Sequence, residues 1–277
     1  MPLLETIGSG SISGYGSNSN AAWLANYSSI ADILSNGLAT FATAEGLTAG
    51  SSYTTLTPKG GYMGGTYISR IGGINGSPPY DNGTAGSIPV VNWGSGKAFD
   101  QRVANPHYGW RSTADVDITG QQASTMVVIG EVNSPTGSAN GSGYHISLNF
   151  GLNGTNDSRA LASNGSVARN VWYSNDTLMT LSAALGVKNV YVLRNTANST
   201  NFKWNTKSQS ETSSIAAVGA DVYGTTGPSK LYTQWRDDNG GQYPYGYIAE
   251  WMVFNRELSD TEVTRIIDYG KAKYGFA

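Results

Sequence analysis

Trp235, Tyr243, Tyr245 and Tyr247 fall in one short stretch together with Asp237 and Asp238. Rings beside carboxylates suit glycan binding, because the C–H face of a sugar packs on an aromatic ring while its hydroxyls need polar partners. Trp235, Tyr243, Tyr245 and Asp237 are therefore the candidate glycan-binding residues, although a Tyr-Pro-Tyr-Gly-Tyr loop suits the capping of a sheet edge equally well. His107-Tyr108-Gly109-Trp110 is a second aromatic cluster open to the same two readings. Asp237, Asp238 and Asn239, followed by Gly240, offer the hard oxygen ligands that calcium takes. The same four residues make an ordinary β-turn. Calcium is the one cofactor this pattern suggests. The chain has no cysteine, which removes disulfides, thiolate zinc sites and a cysteine nucleophile together. Its two histidines, His107 and His145, sit in neither a nucleophile elbow nor a zinc-binding spacing.

Short strands must position these residues. Met126-Val127-Val128-Ile129 is a continuous apolar run, as a buried sandwich strand requires. Tyr144, Ile146, Leu148 and Phe150 alternate with His145, Ser147 and Asn149, giving one apolar and one polar face. Further strands are expected at 190–193, 202–205, 231–236 and 247–254, and residues 58–96 read as turn-rich loops around short strands. Several strands with no helix between them point to an all-β antiparallel sandwich. Two helices flank it. Trp23, Leu24, Tyr27, Ile30, Ala31 and Leu34 follow a helical period that stops at Asn36-Gly37. Ser259-Asp260-Thr261-Glu262 is a capping box, and Val263, Ile266, Ile267, Gly270 and Tyr274 line one face of the helix it starts.

Charged residues are 13% of the chain and the net charge is −2, so binding of nucleic acid by phosphate neutralisation is disfavoured. No apolar run approaches the roughly 18–20 residues that a membrane-spanning helix needs. Gly/Ser-rich residues 8–20 read as an arm that orders against a partner. The expected division is a docking segment, 1–50, with the arm and short helix, and a sandwich, 51–277, with its core at about 86–277.

The run from Gly246 through Glu262, ending in Lys273-Tyr274-Gly275, resembles the C-terminal strand and helix of laminin-G-like domains with the concanavalin A-like jelly-roll fold. Lys188 to Asn195 followed by Asn201 to Asn205 resembles that family's hairpin, and Ser87 to Trp93 with Ala98-Phe99-Asp100 its entry strand. The resemblance implies two curved antiparallel sheets whose concave face or rim loops bind glycans in many relatives. β-Glucanases of this fold carry Glu-x-Asp-x-Glu on one strand, which sets two carboxylates on one face. That spacing does not occur here. Glu131 and Glu250 are the nearest acids, one on each of two strands, and Glu250 is expected to pair with a neighbour such as Arg256 or a turn amide.

These features together favour a non-enzymatic structural protein of a bacteriophage virion. It would join other virion proteins through the N-terminal arm, form homo-oligomers, and display a lectin-like jelly roll toward host-surface glycan. Its expected location is the virion, after synthesis in the host cytoplasm without a secretion signal. A free bacterial carbohydrate-binding module of the same fold is the alternative, and a glycoside hydrolase is the least supported class.

Overall fold

A computed structural model describes residues 22–61, 63–71, 86–102, 108–116, 118, 122–133, 146–151, 158–163, 167–171, 177–180, 185–196, 201–208, 210–214, 230–233 and 245–277. The expected N-terminal arm lies outside them. A 3₁₀ turn, Ala22–Tyr27, and the short helix α1, Ala31–Leu34, lead into β1 (Leu38–Thr43). Then follow β2 (Ser52–Tyr53), β3 (Thr55–Leu56), β4 (Gly60–Gly61), β5 (Tyr67–Ile71), β6 (Ile88–Trp93), β7 (Gly96–Asp100) and β8 (Tyr108–Ser112). The middle of the chain forms β9 (Ser124–Val132), β10 (Ile146–Gly151), β11 (Ser158–Ser163), β12 (Val167–Val171) and β13 (Thr177–Thr180). The remainder is β14 (Val187–Asn195), β15 (Asn201–Asn205), β16 (Ser210–Ser214), β17 (Leu231–Tyr232), β18 (Gly246–Phe254) and helix α2 (Asp260–Tyr274).

These strands make two antiparallel sheets, the sandwich expected from the sequence. The ten-stranded sheet runs β16-β15-β14-β9-β18-β7-β6-β2, with β1 added to β18 and β4 to β1. The eight-stranded sheet runs β13-β12-β11-β10-β17-β8-β5-β3. Between them lies a core that includes Tyr67, Phe99, Trp110, Val128, Leu148, Leu161, Tyr191, Phe202 and Trp251. Phe99 packs on Trp110 at 5.1 Å between ring centroids, and Tyr67 packs edge-on to Trp251 at 5.1 Å.

A second core covers the other face of the ten-stranded sheet, and it explains the unbroken run in β9. Met126 and Val128 point between the sheets, whereas Val127 and Ile129 point the other way, beneath Val263, Ile266 and Tyr274 of α2 and Ile30 and Ile33 of the N-terminal segment. With both faces covered, every position in the strand favours an apolar side chain. The capping box of α2 forms as anticipated: Ser259 Oγ accepts from the Glu262 amide at 3.3 Å and Glu262 Oε2 accepts from the Ser259 amide at 2.8 Å. Gly275 ends the helix in the left-handed region, φ 64°. Tyr269 belongs to the buried stripe as well, while Ile267 is only partly buried.

The single helix expected near residues 20–34 is instead broken in two. Ile30 leaves the helical region at φ −131°, and the Ser28-Ser29 step before it consists of poor helix formers. Arg265 of α2 draws the Ser29 carbonyl toward itself at 2.5 Å and grips the Asp32 carboxylate with both terminal nitrogens. The break still lets Leu24, Tyr27, Ile30, Ile33 and Leu34 reach the second core. The strand expected at 231–236 is described only as Leu231–Tyr232.

Candidate functional site

Helices cover the outer face of the ten-stranded sheet. Among the described residues no helix covers the outer face of the eight-stranded one. Its middle strands carry a polar and aromatic row in direct cross-strand register. Asn149 of β10 stands opposite Tyr232 of β17, Tyr232 opposite Arg111 of β8, and Arg111 opposite Ile68 of β5. All four side chains are half-buried, and their neighbours Leu148, Leu231, Trp110 and Tyr67 point inward and are fully buried. The period of two along each strand produces this division.

Side-chain hydroxyls fasten the two-residue strand β17. Ser112 Oγ accepts from the Leu231 amide at 2.8 Å, and Thr233 Oγ1 accepts from the Trp110 amide at 2.9 Å. Gln101 Nε2 donates to Thr233 Oγ1 at 3.1 Å, and the Thr233 amide donates to the Trp110 carbonyl at 2.9 Å. Lys230, at the entry to β17, binds Asp115 at 2.8 Å and the Thr113 carbonyl at 3.0 Å. Tyr232 is thus held against β8 on both sides in the chain. Strands about 4.8 Å apart spread Asn149, Tyr232 and Arg111 over roughly 10 Å. The row offers an amide that donates and accepts, a ring with a phenolic hydroxyl, and a guanidinium fork that can bridge two oxygens.

Of the residues expected to bind glycan or calcium, Trp235, Asp237, Asp238, Asn239 and Tyr243 lie outside the described residues, as does His107. Tyr245 is described: it is half-buried and its carbonyl accepts from the Asn133 amide at 3.0 Å. Tyr247 lies on the helix-covered face of the other sheet, with the Arg102 guanidinium 4.0 Å from its ring centroid and Asp100 opposite it in register. Burial pushes its phenol upward, and the Arg102 charge acts in the other direction. Trp110, from the second aromatic cluster, is no platform. It is fully buried in the core. Among the described residues no group of three or more His, Asp or Glu side chains could hold a metal ion.

The two acids lie apart on the helix-covered sheet. Glu131 accepts from Trp93 Nε1 at 2.8 Å and Asn133 Nδ2 at 2.9 Å. Glu250 is fully buried, and its partner is not Arg256. A β-bulge between Ile248 and Glu250 inserts Ala249, so Glu250 turns toward α2 and accepts from Tyr269 Oη at 2.9 Å, Lys273 Nζ at 2.5 Å and Thr43 Oγ1 at 3.1 Å. Arg256 instead holds Glu262 with both terminal nitrogens, at 3.0 and 2.6 Å. A polar cleft of about 480 Å³ lies beside that pair, but its three cations are each matched by an acid: Arg194 with Asp260, Lys203 with Glu257 and Arg256 with Glu262.

Asn149 was legible as a member of a polar strand face. Arg111 and Tyr232 were missed, because β17 is too short to show a period. The signal for Arg111 was the alternation of Trp110, Arg111 and Ser112, with only Arg111 incompatible with the core.

No protein-family model and no curated protein sequence matches the chain. Solved structures do share its fold. Domain 4 of AbnA, a GH43 extracellular arabinanase from Geobacillus stearothermophilus in complex with arabinotriose, is 15% identical with a TM-score of 0.54, over 84% of this chain and 98% of that one. A mutant Trypanosoma rangeli sialidase displaying trans-sialidase activity is 14% identical with a TM-score of 0.50, over 87% of this chain but 34% of that one. A mutant GH54 α-L-arabinofuranosidase soaked with 4-nitrophenyl α-L-arabinofuranoside is 13% identical with a TM-score of 0.53, over 82% of this chain and 52% of that one. The chain therefore spans nearly all of the arabinanase domain, but about half of the arabinofuranosidase and a third of the sialidase. These likenesses overturn the expectation that the chain stands apart from enzymes, since the solved proteins sharing its fold are glycoside hydrolases and a sialidase. At these identities the likeness is one of fold, a β-sandwich found in carbohydrate-active proteins.

Proposed function

We propose that this chain is a carbohydrate-binding β-sandwich and that the uncovered face of its eight-stranded sheet takes a short stretch of a glycan chain. The observation that carries this reading is the row Asn149–Tyr232–Arg111 on the one sheet face that no described helix covers. A sugar ring would lie on the Tyr232 ring, with vicinal hydroxyls received by the Arg111 fork and the Asn149 amide. The likeness to an arabinanase domain solved with arabinotriose supports a sugar-binding role within a larger carbohydrate-active protein. Trp235, Asp237 and Tyr243, later in the chain than β17, remain glycan-binding candidates in this proposal, with calcium at Asp237, Asp238 and Asn239.

Calorimetric titration with arabinotriose, backed by a neutral glycan array, tests the reading. Tyr232→Ala should weaken binding at least about tenfold, the cost of losing one stacked ring, at roughly 0.5–1.5 kcal/mol beyond the area buried. Tyr232→Phe should keep most of the affinity. A wild-type chain that binds no glycan, or one whose binding Tyr232→Ala leaves intact, overturns it.

Attachment to a virion through residues 1–50, with the laminin-G-like affiliation, is the finer form of this proposal. The Gly/Ser-rich composition of residues 8–20 supports it. Mass spectrometry of purified particles is its test, and absence of the chain from them would remove it.

A further inference from the structure

Seven cations among the described residues sit in ion pairs with carboxylates: Arg102, Arg194, Lys203, Lys230, Arg256, Arg265 and Lys273. Four half-buried lysines do not: Lys97 donates to the Leu47 carbonyl, and the other three gather at one place, the C-terminal end of α2. Lys188 Nζ stands 5.1 Å from the centroid of the Trp93 ring. That ring lies 6.3 Å from Phe276, tilted by 57°, and Lys207 Nζ stands 5.5 Å from the Phe276 ring centroid. Lys271 completes the group from the last turn of α2, where its carbonyl accepts from the Phe276 amide at 3.2 Å.

Among the described residues, none of these three lysines forms an ion pair with a nearby acid. Glu131 faces Lys188 directly across the β9–β14 register, and its two oxygens accept from Trp93 and Asn133 with no ion pair to Lys188. Asp268, one turn before Lys271 on α2, makes no ion pair with it. Like charges brought close together disfavour their own ionisation. The Lys207 ammonium shows this, lowered first by burial and then by the Lys271 charge. The macrodipole of α2 rewards a cation at its C-terminus, which accounts for Lys271 but not for Lys188 and Lys207, which come from other strands and a loop.

We infer that Lys188, Lys207 and Lys271, arranged around Trp93 and Phe276, form an anion-binding surface for a carboxylate-bearing polysaccharide, separate from the uncovered face of the other sheet. Carboxylates of successive uronic acid units would meet the ammonium groups, and a sugar face would lie against the edge of the half-buried Phe276 ring. The part-exposed Phe276 ring, backed by the buried Trp93, distinguishes this surface from a patch of solvated lysines and favours a sugar polymer over other polyanions.

The test is binding of the full chain to polygalacturonate, with poly-glutamate of matched length as the polyanion control. Removing two of three charges in Lys207→Gln/Lys271→Gln should weaken polygalacturonate binding about tenfold, and raising salt to a Debye length of about 5 Å should weaken the wild type similarly. Phe276→Leu should reduce binding of polygalacturonate but not of poly-glutamate. Arabinotriose binding should be unchanged in Lys207→Gln/Lys271→Gln and in Phe276→Leu, which separates failure here from failure of the neutral-sugar site. Equal binding of poly-glutamate would reduce the surface to a general polyanion patch and overturn the sugar assignment. No binding of polygalacturonate, or binding indifferent to the double variant, overturns it as well.

Discussion

Glu250 and Lys273 join α2 to the sheet, and their unequal burial sets how each should respond to removal. The Glu250 side chain is 0% exposed and that of Lys273 is 21% exposed. Lys273→Met leaves a carboxylate in the second core with the Tyr269 and Thr43 hydroxyls for partners. Removing one member of a buried pair costs about 3–5 kcal/mol. Glu250→Gln is milder, because the amide still accepts from Tyr269 and the Lys273 ammonium can turn outward. Its cost should be nearer the loss of one hydrogen bond to a charged group, about 1.5–3 kcal/mol. Replacing both, in Glu250→Gln/Lys273→Met, should cost less than the two single losses added together, since the unpaired charge is gone. Urea denaturation followed by tryptophan fluorescence measures this. With a slope of about 3 kcal/mol per molar, Lys273→Met should lower the midpoint by about 1–1.7 M and Glu250→Gln by about 0.5–1 M. Equal losses in the two single variants, or strict additivity in the double one, would refute the burial asymmetry on which this rests.

Two further outcomes follow from local geometry. Hydrogen bonds from Arg256, opposed in part by burial and aided by Ser259, hold the Glu262 carboxyl at about 2 against its usual 4.5. Its folded-state value is depressed, so its stabilisation is complete above pH 4.5 and is lost as pH falls toward 2. Discounted for screening of a partly exposed pair, the effect is about 1–2 kcal/mol, and an acid titration of stability should show it in the wild type but not in Glu262→Gln. Gly61 sits at φ +101°, and a Cβ there would lie 2.4 Å from the Ala39 carbonyl oxygen and 2.5 Å from the Thr40 Cα. Both obstacles are backbone, so Gly61→Ala must open the β1–β4 pairing and should cost about 1–3 kcal/mol, read as a lower thermal midpoint, whereas Gly50→Ala, with open space around it, should cost less.

The parts of the fold that local rules govern were legible, and those set by distant partners were not. The capping box and most of the apolar stripe of α2 depend on residues a turn apart, and they appear as read, with Tyr269 joining the buried face and Ile267 only partly in it. Glu250 shows the limit. Its sequence neighbours suggested Arg256, six residues on, as the partner, but one inserted residue in β18 turns the carboxylate toward a helix that starts ten residues later. The bulge arises where β18 exchanges β7 for β1 along one edge, with the Ala44 amide taking the Ala249 carbonyl at 3.0 Å, a pairing across some two hundred residues of chain. The site follows the same logic. Asn149, Tyr232 and Arg111 come from three strands, and the shortest of them, β17, is defined less by its own residues than by the hydroxyls of Ser112 and Thr233 that pin it. A site assembled by register across strands leaves in each segment only one outward polar residue among inward apolar ones. What marks it as a candidate is that no helix among the described residues covers that face, while α2 packs on the other sheet.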